Sequence, residues 1–244
     1  MGRQRADLLL VARGLFDSRA KAQAAIAAGG VFADGKPVAK ASETLDEAAE
    51  IRAEAAHPWV GRGALKLDHA FGLWPIPVEG RIGLDVGAST GGFTEVLLSK
   101  GISHVYAVDV GHGQLHTKIG SDARVTDLSG LDARNLTAAL IPQAPGLVVS
   151  DVSFIALAKA LPAALALAAP GADLVALIKP QFELGREHIG KGGLVKDPAA
   201  RRQAVDGVLA FLTASGWTVQ AETESPILGG EGAVEHLVWA RKPD

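Results

Sequence analysis

The feature that most constrains this chain is the run DVGASTGGF, Asp85 to Phe93, which follows the apolar lead-in GRIGL and is answered by YAVDVG at Tyr106 to Gly111. A strand ending in a turn of small residues, then a helix, then a second strand ending in an acid is the unit with which a Rossmann-type sheet holds an adenosine-containing cofactor. The acid that heads the turn narrows the choice. A dinucleotide needs a glycine-rich turn and a helix N-terminus open to its pyrophosphate, an anion that Asp85 would repel. A cation suits the position better. S-adenosylmethionine carries a sulfonium and an ammonium group, so Asp85 is expected to meet its positive end while Gly87, Gly91 and Gly92 let the backbone come close. Asp109, about 20 residues further on, is placed for the ribose hydroxyls.

A length of 244 residues leaves room for one full α/β domain and a smaller one. The absence of cysteine excludes disulfides, thiolate metal sites and cysteine nucleophiles, and fits a reducing compartment. The opening MGRQRADLLL has an acid inside its apolar run and no signal-peptide pattern. The apolar run Ile155 to Ala169 contains Lys159 and Pro162 and is too short to span a bilayer. A cytoplasmic protein with no membrane partner is therefore expected. The formal net charge of −3 argues against indiscriminate nucleic-acid binding, yet the charge is uneven. Up to Lys40 the chain carries Arg3, Arg5, Arg13, Arg19, Lys21, Lys36 and Lys40 against Asp7, Asp17 and Asp34. This asymmetry suggests a basic module attached to an acidic catalytic body.

Residues 1–57 read as that module. Leu8, Leu9, Val11, Ala12 and Leu15 give a first helix its apolar face, Gly14 stops it, and Ser18 caps a second helix from Arg19 to Ala28. VFADGKPV alternates around Asp34-Gly35, a strong hairpin signal. A third strand is expected near Ala49 to Ala53, and a linker at Glu54 to Pro58. From residue 58 the pattern changes to alternating strands and helices. Strands are expected near Ile82 to Val86, His104 to Asp109, Arg124 to Asp127, Gly146 to Ser150, Asp173 to Ile178, Trp217 to Glu222 and Glu235 to Ala240. Helices are expected near Phe93 to Lys100, Ile155 to Ala168 and Pro198 to Ser215. Seven strands with helical crossovers predict a Rossmann-like, doubly wound α/β sheet, and the short loop before the last strand predicts that it runs antiparallel.

Ligands in such a sheet gather beyond the carboxyl ends of the strands. Asp151 follows the strand GLVVS, Lys179 follows ADLVALI, and Glu235 begins the terminal strand; Lys66 lies in GRGALKL on the helix that enters the domain. Two lysines and two carboxylates on one rim would compensate one another, and the apolar strand before Lys179 would partly desolvate its amine. Such an amine can act on a hydroxyl. The seven histidines show no metal-ligand spacing, so no metal site is expected. Ser153 in DVSF is assigned to capping the helix that follows, and the four tryptophans to packing.

The set Lys66, Asp151, Lys179 and Glu235, together with DVGASTGGF, resembles the Lys-Asp-Lys-Glu arrangement of the FtsJ-like ribose 2′-O-methyltransferases. The strings GRGALKL, DVGASTGGFTEVLL, AVDVGHGQL, DVSFI, IKPQFE, GKGGLVKDP and GAVEHLVW are similar to the TlyA family, historically labelled hemolysin A. RADLLLVARGLFDSRAKAQAAIAAGGVFADGKPV resembles the S4 pattern. The resemblance implies an S4-like RNA-binding domain at 1–57 joined to an FtsJ-like domain at 58–244. It also implies S-adenosylmethionine-dependent 2′-O-methylation of ribosomal RNA, with a cytidine of 23S rRNA as the target and 16S rRNA as a further candidate. The implied catalytic residues are Lys66, Asp151, Lys179 and Glu235. The cofactor set is Asp85, Gly87, Ser89, Gly91, Gly92, Phe93, Asp109, Asp132 and Asp151, with Asp132 near the adenine amino group. RNA is expected at Arg5, Arg19, Lys21, Lys36, Lys40 and Arg62. The implied partner is ribosomal RNA or a ribosomal subunit, met by a monomer. Gly61 stands where the family usually has Ser, and Asp132 where it has Asn; both leave the tetrad intact. Two other classes are weighed: a membrane-active hemolysin, and a non-catalytic RNA-binding protein with a methyltransferase-like fold, which predicts an eroded tetrad or cofactor turn.

Overall fold

The computed structural model describes residues 2–244; Met1 lies outside the described residues. The chain divides into two compact units, the first ending at Pro58 and the second spanning Trp59–Asp244.

In the first unit β1 (Arg3–Arg5) leads into α1 (Ala6–Ala12), followed by α2 (Arg19–Ala27). Ser18 caps α2 as expected, its hydroxyl accepting the Lys21 N–H. β2 (Val31–Ala33) returns as β3 (Lys36–Pro37) through Asp34 and Gly35, whose φ angles of 49° and 74° are those of the turn that matches strand twist. β4 (Thr44–Asp46) pairs antiparallel with β1, and β5 (Ile51–Ala53) with β2. The β1–β4 ribbon was not expected, because strands of three residues are too short for alternation to show. Leu9, Leu10, Phe16, Ile26, Val31 and Val38 fill the core of this unit.

The second unit opens with α3 (Ala64–Leu73), β6 (Ile82–Val86), α4 (Gly92–Ser99), β7 (His104–Asp109), α5 (Thr117–Gly120) and β8 (Val125–Ser129). It continues with β9 (Leu147–Ser150), α6 (Leu157–Ala160), α7 (Pro162–Leu167), β10 (Asp173–Ile178), α8 (Pro180–Glu183), α9 (Pro198–Ala214), β11 (Thr218–Glu224) and β12 (His236–Arg241). The seven strands form one sheet in the order β11-β12-β10-β9-β6-β7-β8. Strands β6 to β10 pair in parallel, and β12 runs against both of its neighbours. The alternating pattern and the reversed terminal strand are thus as expected. The single helix expected over Ile155 to Ala168 is instead two. Pro162 lacks the N–H that would continue α6 and starts α7, the helix position it favours.

Leu84, Val86, Val148, Leu174, Ala176 and Ile178 bury one face of the sheet, while Leu147, Val149, Val175 and Leu177 bury the other. Central strands apolar on both faces belong to a sheet covered by helices on each side. Each large apolar side chain so buried contributes about 1.5–3 kcal/mol, which gives the polar strand ends a rigid base. From β6 the chain winds outward through β7 and β8, then returns to the opposite side of β6 as β9. That reversal opens the crevice in which doubly wound sheets hold ligands. Among the described residues no helix is long and apolar enough to cross a membrane.

Candidate active site

A cavity of about 560 Å³ lies in this crevice. Gly87 and Ser89 line it from the turn after β6, Asp109 and Val110 from the end of β7, Asp132 from the loop after β8, and Asp151 to Phe154 from the segment leaving β9. The Asp109 carboxylate is fixed by backbone. Its Oδ2 accepts the Ser89 N–H at 2.8 Å and its Oδ1 the Gly111 N–H at 2.7 Å, and each oxygen keeps a lone pair for a further donor. Asp132 pairs with Arg134 at 2.6 Å, and that guanidinium holds its carboxyl down to about 2. Val110 is 71% exposed beside them, an apolar contact that the sequence reading missed.

Four of the expected cofactor contacts lie outside this cavity: Gly92 and Phe93 line a smaller one beside it, and Asp85 and Gly91 line neither. Asp85 is wholly buried beneath the turn. Its Oδ2 accepts the Thr94 hydroxyl at 2.7 Å, and its Oδ1 has no partner. Burial pushes its pKa up to about 7, and the neighbouring Asp151 and Asp109 charges push the same way. Strand alternation explains the position, since Asp85 pairs in register with the buried Val149 and points to the α4 side of the sheet. Gly91 packs into the turn. Its φ is 93°, and a Cβ there would meet Leu115 at 2.8 Å, so glycine serves the turn and its packing.

A second cavity of about 200 Å³ adjoins the first and shares Gly87, Ser89, Asp151 and Ser153 with it. Gly61, Arg62, Gly63, Gly92, Phe93 and Lys179 complete its walls. Gly63 allows a close approach, because a Cβ there would sit 3.1 Å from Asp151 Oδ2. Lys179 Nζ lies 2.6 Å from Asp151 Oδ1 and donates to Ser153 Oγ at 2.8 Å. Lys66 Nζ donates to Glu235 Oε2 at 2.5 Å, both groups buried. The β10–β12 register ends at Ile178 opposite His236, so Lys179 and Glu235 are the next residues on adjacent strands. Two ion pairs therefore stand together at the sheet rim, each buried cation facing a carboxylate, as burial of charge requires.

Ser153 does not cap α6, whose N-cap is Ala156 with no side-chain bond. It belongs to the Lys179 cluster. Its spacing of two from Asp151, in a segment outside any helix, was the available signal. Phe154 was missed as well: it is 90% exposed at the cavity lip, has φ 65°, and its ring centroid lies 5.0 Å from that of Phe182. Arg62 is exposed and donates to the Leu228 carbonyl at 2.8 Å. In the first unit Arg5 and Arg19 both pair with the buried Asp7, at 3.0 and 2.9 Å, while remaining about half exposed. The Arg5 guanidinium holds the Asp7 carboxyl well below the usual carboxylate range. Lys21 pairs with Asp17, and Lys36 and Lys40 are exposed. No cluster suited to a metal ion is found among the described residues.

Residues 59–242 match the FtsJ-like methyltransferase model, and residues 4–51 match the S4 domain. The chain belongs to the FtsJ-like methyltransferase family. The 16S/23S rRNA (cytidine-2′-O)-methyltransferase TlyA of Mycobacterium tuberculosis is 44% identical over 98% of this chain and 90% of its own length. The 23S rRNA (cytidine-2′-O)-methyltransferase TlyA of Campylobacter jejuni is 32% identical over 74% of this chain and 70% of its own. A solved structure from Streptococcus thermophilus with a provisional hemolysin label superposes with a TM-score of 0.79 and 38% identity, covering all of this chain and 90% of that one. FtsJ-like enzymes draw their methyl group from S-adenosylmethionine, and the larger cavity suits it. A backbone-held carboxylate for a diol, an exposed apolar residue for a base and a carboxylate-lined wall for a cation are all present. Asp109→Ala is expected to weaken S-adenosylmethionine binding by about 1–3 kcal/mol, as loss of hydrogen bonds to a charged group does, measured by calorimetry. An unchanged affinity would place the ribose elsewhere.

Proposed function

We propose that this protein transfers the methyl group of S-adenosylmethionine to the 2′-hydroxyl of a cytidine in 23S rRNA, with 16S rRNA as a further substrate. The observation that carries the reading is the Lys179–Asp151 bridge at the junction of a cofactor-sized cavity and a smaller cleft, with the buried Lys66–Glu235 bridge beside it at the sheet rim. The sulfonium makes the methyl group electrophilic without help, so the protein's tasks are alignment and the handling of one proton. Asp109 holds the ribose diol of the cofactor, Asp132 accepts from its adenine amino group, and Gly87 and Ser89 bring backbone close. In the smaller cleft, walled by Gly92 and Phe93, Lys179 takes the proton of the acceptor hydroxyl while Asp151 orients its amine. Lys66 and Glu235 position the acceptor ribose. Phe154 offers its exposed ring to the target base, the sequence-tolerant contact that single-stranded RNA accepts.

The S4-like unit docks the RNA. Arg5 and Arg19, splayed from Asp7, present two oriented guanidiniums, and Lys36 and Lys40 add exposed charge; contacts of this kind read phosphates and shape. In the second unit Arg62 adds an exposed charge at the smaller cleft. The double variant Lys36→Glu, Lys40→Glu is expected to lower rRNA affinity and flatten its salt dependence by roughly one unit of slope per lysine, while calorimetry finds S-adenosylmethionine binding unaltered. An unchanged slope would remove these lysines from the interface. The protein acts as a monomer in the cytoplasm, where its substrate is made. To test the function itself, ribosomal RNA is incubated with the protein and radiolabelled S-adenosylmethionine, then digested to nucleosides. Label in 2′-O-methylcytidine is the expected result; label on a base, or none, rejects the proposal.

A further inference from the structure

We infer that Ser153 is a positioning residue for methyl transfer, its hydroxyl holding the Lys179 amine at the boundary between the two cavities. The inference rests on the reading of Lys179 as the group that takes the 2′-hydroxyl proton. Lys179 Nζ lies 2.6 Å from Asp151 Oδ1 in an ion pair that lacks hydrogen-bond geometry, and it donates to Ser153 Oγ at 2.8 Å. The carboxylate therefore supplies charge, which is weakly directional, while the Ser153 hydroxyl supplies the directional contact that fixes where the amine sits. Ser153 lines both cavities, at the boundary between the methyl donor and the smaller cleft.

The step balances on these groups. As the new oxygen–carbon bond forms, the sulfur–methyl bond breaks and its electron pair stays on sulfur, leaving a neutral thioether. The 2′-hydroxyl proton passes to the Lys179 lone pair. The resulting ammonium keeps its bond to Ser153 and is neutralised by the ion pair with Asp151. Ser153 itself gains and loses nothing, which is why its role is to position.

Single-turnover transfer to ribosomal RNA, at saturating S-adenosylmethionine, is compared for the wild type, Ser153→Ala, Ser153→Thr and Lys179→Ala, with the affinity for each substrate measured separately. Ser153→Ala is expected to slow the step about 10-fold, the equivalent of one hydrogen bond, with both affinities unchanged. Ser153→Thr keeps the acceptor and is expected to recover to within about threefold of the wild type. A wild-type rate in Ser153→Ala beside an inactive Lys179→Ala overturns the inference and leaves the Lys179 reading intact. A loss in Ser153→Ala that appears as weaker cofactor binding, or one that threonine does not restore, also overturns it and makes Ser153 a wall of the cavity. Near-normal transfer by Lys179→Ala overturns the reading beneath.

Discussion

Replacing Lys179 by alanine is expected to slow methyl transfer by roughly 10²- to 10⁴-fold, the range for a group that accepts a proton in the transition state. Binding of S-adenosylmethionine and of RNA should survive. The buried amine is directed at the smaller cleft, and its removal leaves Asp151 with no cation beside the larger cavity. A cationic ligand would then be held at least as well, so the loss should appear in the chemical step alone. Lys179→Arg should not rescue it. A guanidinium stays protonated and is planar, so it presents no lone pair to a hydroxyl. Single-turnover kinetics with product digestion would show this, and near-normal turnover in Lys179→Ala would sink the mechanism.

The Asp85→Asn variant is expected to gain stability over the wild type as pH rises. The folded protein holds the Asp85 proton up to about pH 7 because the carboxyl is fully buried with Thr94 as its hydrogen-bond partner. In the unfolded chain the same group ionises near 3.8. Between those values the folded state binds the extra proton, so wild-type stability falls as pH rises and levels off above the folded pKa. About three pH units of difference correspond to roughly 4 kcal/mol in full. Asparagine has no proton to lose and escapes that fall. Urea unfolding at pH 5 and pH 8 should find the gap between variant and wild type widening by about 2–3 kcal/mol in the variant's favour. A gap that stays constant would mean that Asp85 does not titrate in this range.

The sheet was legible because its signals are local. The strand–turn–helix around Asp85 to Phe93, the acid Asp109 and the positive-φ turn at Asp34-Gly35 each follow from neighbours in sequence. The seven strands of the second unit and the reversal of β12 could be counted from alternation and loop length. The break at Pro162 was also written in the chain; the apolar run around it outweighed the missing N–H. What could not be seen depends on residues far apart. That Asp85 turns inward is a matter of which sheet face α4 covers. Arg62 reaches the Leu228 carbonyl across 166 positions, and Ser153 meets Lys179 across 26. Capping was the better local reading for Ser153, and only tertiary packing reveals its actual partner.

The placement of β12 between β10 and β11 sets a condition on when the enzyme can work. Lys66 stands on the first helix of the second unit, and its partner Glu235 sits 169 positions later at the start of β12. β11 pairs with β12 alone, so neither strand has its place in the sheet before β12 is made. Contacts this distant in sequence form late, because the intervening loop must first be closed. A chain still being synthesised can fold the cofactor crevice around β6, β7 and β9 while half of its charged rim is missing. Such an intermediate could bind the methyl donor, but it would lack the carboxylate that neutralises Lys66. On the proposed mechanism, competence therefore arrives only once β12 has taken its place in the sheet.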